Sequence, residues 1–271
     1  MKKVALVTGA SSGIGRAAAE LFAKKGYTVY AAARSMEKLE AMATDAIRPV
    51  SLDVTDDASM RACVKQVLDH EGRIDVLVNN AGYGSYGAVE DVPMEEARRQ
   101  IEVNVFGLAR MTQLVLPAMR EARSGKIINI TSMAGRIWTP FGAWYHASKF
   151  AVEGLSASMR LELRPLGIDV VLIEPGAILT PWSGIAAQHL RDTSRGGAYA
   201  AAAMRSADRL SGIYEGRYIT KPEVIAKCIV KAAMKRHPRT RYLIGFGAKP
   251  MVWIQKIFGD RVYDRLVRTF M

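Results

Sequence analysis

Cysteine is scarce in this sequence. Cys63 and Cys228 are the only two among 271 residues, too few for a disulfide framework, so a reducing compartment is the natural expectation. Long apolar runs are missing as well. The opening MKKVALV imitates the charged start of a secretory signal, but its apolar run stops at Thr8-Gly9 after four residues, too short for the hydrophobic part of such a signal. No run approaches the roughly 20 apolar residues that a membrane span requires. The four histidines and two cysteines show no metal-ligand spacing, and no metal is expected. Together these absences describe a soluble, cytoplasmic chain.

What is present is an ordinary globular composition, 49% hydrophobic with modest glycine and proline, enough for one large α/β domain or two small ones. The formal net charge of +12 is uneven. From Lys221 to Met271 there are 12 Lys/Arg against 3 Asp/Glu, whereas the first 220 residues carry 26 against 23. A basic tail of this kind suits a solvated helix face, an anionic membrane surface or nucleic acid.

Short β-branched runs alternate with stretches of helical period. KVALVTG, TVYAAA, RPVSLDV, IDVLVNNAG, GKIINITS, IDVVLIEPG and RYLIGFG are seven candidate strands. Helical stretches lie around Gly15–Lys25, Met36–Ala43, Asp57–His70, Met94–Arg120 and Tyr145–Leu163, the last ended by Pro165. The near-continuous apolar character of most strands suggests burial on both faces, as in a parallel sheet. Such an alternation gives a doubly wound α/β fold. No repeat, low-complexity tract or linker divides residues 1–271, so a single domain is expected. Residues Thr180 to Thr220 break the rhythm with mixed composition and scattered Gly184, Gly196, Gly197, Gly212 and Gly216. Following EPG, they fall over the carboxyl edge of the sheet, where such folds bind ligands, and a substrate lid is expected there.

TGASSGIG, Thr8 to Gly15, follows the first strand and opens the first helix. Its glycines permit a tight turn and let the backbone approach a pyrophosphate, while the helix N-terminus offers free N–H groups. Nucleotide binding is the reading this context favours. The end of the second strand, AAARS, has Ala33 and Arg34 where a site selective for NAD usually has an acid. No carboxylate is present to repel a 2′-phosphate and a guanidinium is present to bind it, so NADPH is preferred over NADH. Asp53 closes the third strand and is placed to meet the adenine edge.

YHASK holds Tyr145 and Lys149 four residues apart, on one helix face, close enough for the ammonium to stabilise a phenolate. Taken alone, the pair proves nothing, because tyrosine and lysine at this spacing are commonly a surface contact. The surrounding motifs decide the matter. TGASSGIG, NNAG at Asn79–Gly82, NVFG at Asn104–Gly107, ITS ending at Ser132, YHASK, and EPG at Glu174–Gly176 follow one another in order. By these the chain is identified as similar to the short-chain dehydrogenase/reductase family over most of residues 2–182. Many members have Asn or Ser where Glu174 precedes the Pro-Gly.

The resemblance implies a Rossmann-type fold of about seven strands and a catalytic tetrad of Asn104, Ser132, Tyr145 and Lys149. It implies a nicotinamide cofactor along Gly9, Ser11, Ser12, Gly13, Ile14 and Gly15. The cofactor would continue past Arg34, Asp53, Val54, Asn80, Ala81 and Gly82 to Pro175, Gly176, Ile178 and Thr180, with Tyr145 and Lys149 beside it. In the implied mechanism Tyr145 gives a proton to a carbonyl oxygen, Lys149 lowers the phenol pKa, and Ser132 polarises the carbonyl. Asn104 stabilises a kink in its helix. A homodimer or homotetramer built on the Met94–Arg120 and catalytic helices is also implied.

Trp138, Trp144 and Trp182, with Met133 and Ile137, flank the expected pocket and favour a bulky apolar ketone, aldehyde or secondary alcohol. His146 points about 100° away from Tyr145 around the helix and reads as a packing or surface residue. In the tail, Ile254, Phe258, Val262, Leu266 and Phe270 recur every four residues as an apolar stripe among Lys256, Arg261, Arg265 and Arg268. The extension at about 249–271 would dock on the protein's own body or a partner subunit, or make a weak membrane-surface contact. No nucleic acid is expected, because no recognition motif accompanies the charge. The competing function is a nucleotide-binding sensor or membrane-surface adaptor without turnover.

Overall fold

In the computed structural model, residues 2–215 and 219–269 are described. Strands β1 (Val4–Thr8), β2 (Thr28–Ala33), β3 (Ile47–Ser51), β4 (Val76–Asn79), β5 (Gly125–Ile130), β6 (Ile168–Pro175) and β7 (Arg241–Ile244) form one sheet. Their order is β3-β2-β1-β4-β5-β6-β7, and every pairing is parallel. All seven strands expected from the sequence are found. The apolar runs that suggested two-sided burial are covered on both faces: every residue of β1, β2 and β4 is buried.

One face is packed by α1 (Gly13–Lys24) and α9 (Pro222–Met234), which bring Phe22, Ile225 and Ile229 onto Val7, Val29 and Val78. The short α2 (Met36–Glu40) adds Leu39. The other face is packed by α3 (Asp57–Glu71), α5 (Leu108–Glu121) and α6 (Ala143–Leu163), with Met60, Val64, Met111, Val115 and Leu163 at the contact. Helix α3 starts where Asp56 accepts a 3.0 Å bond from the Ala58 N–H, satisfying one of the free first-turn donors. Helix α6 ends in a 3₁₀ turn over Arg164–Leu166, at the Pro165 expected to stop it.

Three regions differ from the sequence reading. The stretch Met94–Arg120 is not one helix: α4 (Met94–Ile101) passes through a π-helical turn at Glu102–Gly107 before α5 begins. The stretch 180–220 contains two helices, α7 (Trp182–Ser194) and α8 (Ala200–Glu215), which pack on each other through Ala186, Leu190, Ala203 and Ala207. Gly216 and Phe270 lie outside the described residues.

The third difference is in the tail, α10 (Ala248–Thr269). Gly259 adopts φ 73° and ψ −179° inside it, a conformation that suits glycine and breaks the helical register. The expected stripe is therefore docked only in part, through Ile254. Val252, Tyr263 and Val267 are buried instead, against Ile137, while Phe258 and Val262 are exposed. Tyr263 Oη donates to the Trp138 carbonyl at 3.0 Å and Trp138 Nε1 donates to Asp264 Oδ1 at 2.8 Å. The tail thus docks on the protein's own body. Among the described residues, no helix is long and apolar enough to cross a membrane.

Candidate active site

A cleft of about 900 Å³ opens over the carboxyl ends of the strands, lined by the β1–α1 turn and by the ends of β2, β4, β5 and β6. This is where the chain reverses direction across the sheet, between β1 and β4, and open α/β sheets bind ligands there. The β1–α1 turn is built for close approach. Gly9 has φ +64°, and a Cβ at Gly15 would stand 2.4 Å from the Gly9 carbonyl oxygen. Asn80 Nδ2 ties the turn down by donating to the carbonyls of Thr8 and Gly9 at 3.0 and 3.2 Å. Thr8 Oγ1 accepts from the N–H groups of Asn80 and Ala81, both at 3.0 Å. Ser12 makes no side-chain cap on α1, so first-turn N–H groups remain for an anionic ligand.

Gly9, Ser11, Ser12, Gly13 and Ile14 line the cleft, as do Arg34, Asp53, Val54, Asn80, Ala81, Gly82, Pro175, Gly176, Ile178 and Thr180. Gly15 does not; it lies beneath the turn and makes room for Gly9 and Asn80. At the far end, Arg34 is joined by Arg99 from α4, a second guanidinium that no motif announced. Asp53 Oδ1 accepts from Thr55 N at 2.9 Å and Thr55 Oγ1 at 2.7 Å. Burial raises the Asp53 carboxyl, yet the Thr55 bonds and the charges of Arg34 and Arg99 outweigh it and hold the pKa below its usual value.

Ser132, Tyr145 and Lys149 meet in the middle of the cleft. Tyr145 is buried, and that burial pushes its phenol up to about 12, against the lowering effect of a hydrogen bond with Ser132. Burial therefore sets a net direction opposite to the lowering expected from Lys149. The Lys149 ammonium lies 5.7 Å from the Tyr145 ring centroid and donates to the Ile130 carbonyl at 3.1 Å. Burial pushes Lys149 down to about 8, against the opposing charge of Glu153.

Asn104 sits in the π-helical turn and off the cleft wall. Its Nδ2 donates to the Tyr83 carbonyl at 2.9 Å and to Ser148 Oγ at 3.0 Å, and its Oδ1 accepts from Tyr83 N at 3.0 Å. The irregular turn aims this one amide at the loop after β4 and at α6 together.

Behind α6 lies a compact ion cluster. Glu153 follows Lys149 by one turn, and Arg241 from β7 pairs with both Glu153 and the fully buried Glu174. Arg136 reaches Glu174 Oε2 at 3.5 Å. Glu174 thus faces two guanidiniums. Burial and the neighbouring Glu174 raise the Glu153 carboxyl.

The other half of the cleft is largely apolar, walled by Tyr86, Met133, Ile137, Trp182, Ile185 and Leu210. The Trp182 ring centroid lies 5.1 Å from that of Tyr145 and 5.9 Å from that of Tyr86. Gly84 leaves the space Trp182 fills: a Cβ there would meet Trp182 Cζ2 at 2.4 Å. Trp138 belongs to the α10 contact rather than the cleft, and Trp144 is also absent from the wall. His146 is buried, accepting from Thr139 N at 2.9 Å through Nε2, which leaves Nδ1 to donate to the Ala134 carbonyl at 3.0 Å. It is a packing residue that also borders the cleft. Tyr83, Tyr86 and His189 were missed by sequence reasoning, although AGYGSYG places both tyrosines directly after NNAG.

A single parallel sheet in this order, with a glycine-rich turn and an enclosed tyrosine beside a lysine, defines a dinucleotide-binding oxidoreductase framework. The model of the short chain dehydrogenase family matches residues 3–190, and the chain belongs to that family. It is 36% identical over 265 residues to a probable short-chain type dehydrogenase/reductase, VdlC, of Helicobacter pylori, covering 98% of this chain and 96% of that one. It is 36% identical over 244 residues to a 3-ketodihydrosphingosine reductase of Bacteroides thetaiotaomicron, covering 90% and 88%. A solved short-chain dehydrogenase from Streptomyces avermitilis superposes with a TM-score of 0.83 at 34% identity, covering 99% of this chain and 96% of that one. The closed form of a serine dehydrogenase complexed with NADP+ superposes with a TM-score of 0.79 at 26% identity, covering 89% and 94%.

Proposed function

We propose that this short-chain oxidoreductase uses NADPH in preference to NADH to interconvert an apolar ketone or aldehyde and its alcohol, with Tyr145 as the proton donor and acceptor. The observation that carries the reading is the enclosed Tyr145 phenol, bonded to Ser132 and beside Lys149, at the junction of a nucleotide-type cleft and an apolar wall.

The β1–α1 turn fits a nicotinamide dinucleotide, because Gly9 and Gly15 leave room that a Cβ would fill. Gly13 and Ile14 would receive its pyrophosphate, Arg34 and Arg99 the 2′-phosphate, and Asp53 and Val54 the adenine edge. Lys149 would hold ribose hydroxyls. When bound, the cofactor supplies or takes up the hydride.

The protein's own residues supply the proton. A phenol raised to about 12 stays protonated at neutral pH and is set to donate to a carbonyl oxygen. Ser132 positions and polarises that oxygen. A protonated Lys149 beside the ring stabilises the negative charge left on Tyr145. Asn104 holds Tyr83 and Ser148 in place around this group.

Helices α7 and α8 form the substrate lid, with Trp182, Ile185 and Leu210 facing an apolar chain or ring. The related 3-ketodihydrosphingosine reductase supports a keto lipid as the kind of substrate, and the NADP+ complex supports the cofactor. The chain would act as a homodimer or homotetramer; exposed Phe106, Phe150 and Leu161 on the π turn and α6 support this. The test is cofactor oxidation by absorbance with NADPH and NADH in parallel over ketones and aldehydes graded by size. Turnover with NADPH that rises with apolar bulk is expected. Equal rates with both cofactors, or a preference for small polar substrates, would contradict the reading.

A further inference from the structure

We propose that the outer face of α10 docks the protein on an anionic lipid surface. Helix α10 is held by its inner residues Val252, Tyr263 and Val267 and by the bonds joining Tyr263 and Asp264 to Trp138. Its outer residues are not needed for that packing. Trp253 is 55% exposed, Ile257 63%, Phe258 61% and Val262 47%. Trp253 and Ile257, one turn apart before the break, share a face; Phe258 beside the break and Val262 just beyond it add further exposed apolar surface on this anchored element.

Lys256 and Arg261 stand between them, with one acid, Asp260. Trp253, Lys256 and Ile257 share one face with Lys249, seven residues before Lys256. The Lys256 ammonium lies 6.0 Å from the Trp253 ring centroid. Arg261, Arg265 and Arg268 are exposed beyond the break at Gly259. The two acids of the element, Asp264 bonded to Trp138 and Asp260 accepting from Gln255 at 3.1 Å, are outnumbered by Lys249, Lys256, Arg261, Arg265 and Arg268. Tryptophan and aliphatic side chains interleaved with lysine suit the boundary between acyl chains and anionic headgroups.

Charge complementarity decides the occupant. A second copy would oppose one cationic face to another. A nucleic acid would leave Ile257, Phe258 and Val262 without a role. An anionic bilayer uses both sets of side chains. Met133 and Ile137, which line the cleft, also pack in the cluster that holds Val252. Docking through α10 therefore brings the apolar end of the cleft close to the lipid. The inference does not depend on the reaction proposed above.

The test is co-sedimentation of the full chain with vesicles of phosphatidylcholine alone and of phosphatidylcholine mixed with phosphatidylglycerol. Retention on the mixed vesicles, weakened by salt and accompanied by a blue shift of tryptophan fluorescence, is expected. Lys249→Glu with Lys256→Glu should weaken it by roughly fivefold or more per residue, and Trp253→Ser with Ile257→Ser should abolish the blue shift. Turnover on a water-soluble ketone should be unchanged in both variants, which separates failure here from failure of the reductase reading. Wild-type protein left in the supernatant with mixed vesicles would overturn the proposal. So would undiminished retention of the Trp253/Ile257 variant that duplex DNA competes away, since that describes a general polyanion site.

Discussion

The Lys149 ammonium is tied to the Ile130 carbonyl at 3.1 Å while standing 5.7 Å from the centre of the Tyr145 ring. The tether joins α6 to the end of β5, so the charge beside the phenol is fixed by the sheet.

Because burial lowers Lys149 to about 8, its charge is lost as pH rises through that value. Tyr145, raised to about 12, stays protonated over the same range. Carbonyl reduction should therefore be flat at neutral pH and fall above about pH 8. Lys149→Met should lower kcat by roughly 10²–10⁴-fold and remove the break from the pH profile. A profile with the break intact in the variant would assign that titration to another group.

Gly84→Ala is expected to act through Trp182. The added Cβ would meet the indole at 2.4 Å and push it from the Tyr145 side of the cleft, an overpacking cost of about 1–3 kcal/mol. The measurement is kcat/KM on a bulky ketone, which should fall by more than the value on a small one. Equal losses on both would show that Trp182 does not shape the substrate pocket.

Arg34→Asp tests the cofactor preference. Removing a charge-assisted bond worth about 1.5–3 kcal/mol should shift the ratio of NADPH to NADH affinity by roughly 10- to 100-fold toward NADH. Titration of both cofactors by fluorescence reads this directly. An unchanged ratio would leave Arg34 as a solvated strand end.

Arg241→Met should destabilise the fold. It would leave Glu153 and fully buried Glu174 facing each other without their shared cation. Because Arg241 is itself partly exposed, the low end for a broken buried pair applies, about 3 kcal/mol, or a Tm lower by roughly 10 °C. Burial already raises the Glu153 carboxyl, so the loss should shrink as pH falls and that group takes up a proton. A pH-independent loss would mean that packing, not charge, sets it.

The sheet was legible because parallel strands buried on both faces leave near-continuous apolar runs, as β1, β2, β4, β5 and β6 do, whereas β3 is only partly buried and β7 half-buried. The glycine turn and the pairing of Tyr145 with Lys149 were legible because close backbone approach and a shared helix face require particular residues at fixed separations. Other features carry no such signal. The π-helical turn at Glu102–Gly107 adds backbone without altering the apolar pattern, so Met94–Arg120 reads as one helix. The glycines between 184 and 216 obscure α7 and α8, whose contact is made by small residues such as Ala186 and Ala203. In α10 the four-residue repeat is real, but Gly259 turns the chain and buries Val252, Tyr263 and Val267 instead. Arg99 reaches the cleft only through the placement of α4, which no local pattern records.

The central claim is that Tyr145 carries the proton. Tyr145→Phe removes one oxygen from an enclosed ring and leaves the β1–α1 turn untouched. The direct measurement pairs NADPH binding with turnover of an apolar ketone in this variant and in the wild type. The account predicts unchanged binding, within about threefold, and a rate lower by roughly 10²-fold or more. Turnover that survives the substitution would contradict it.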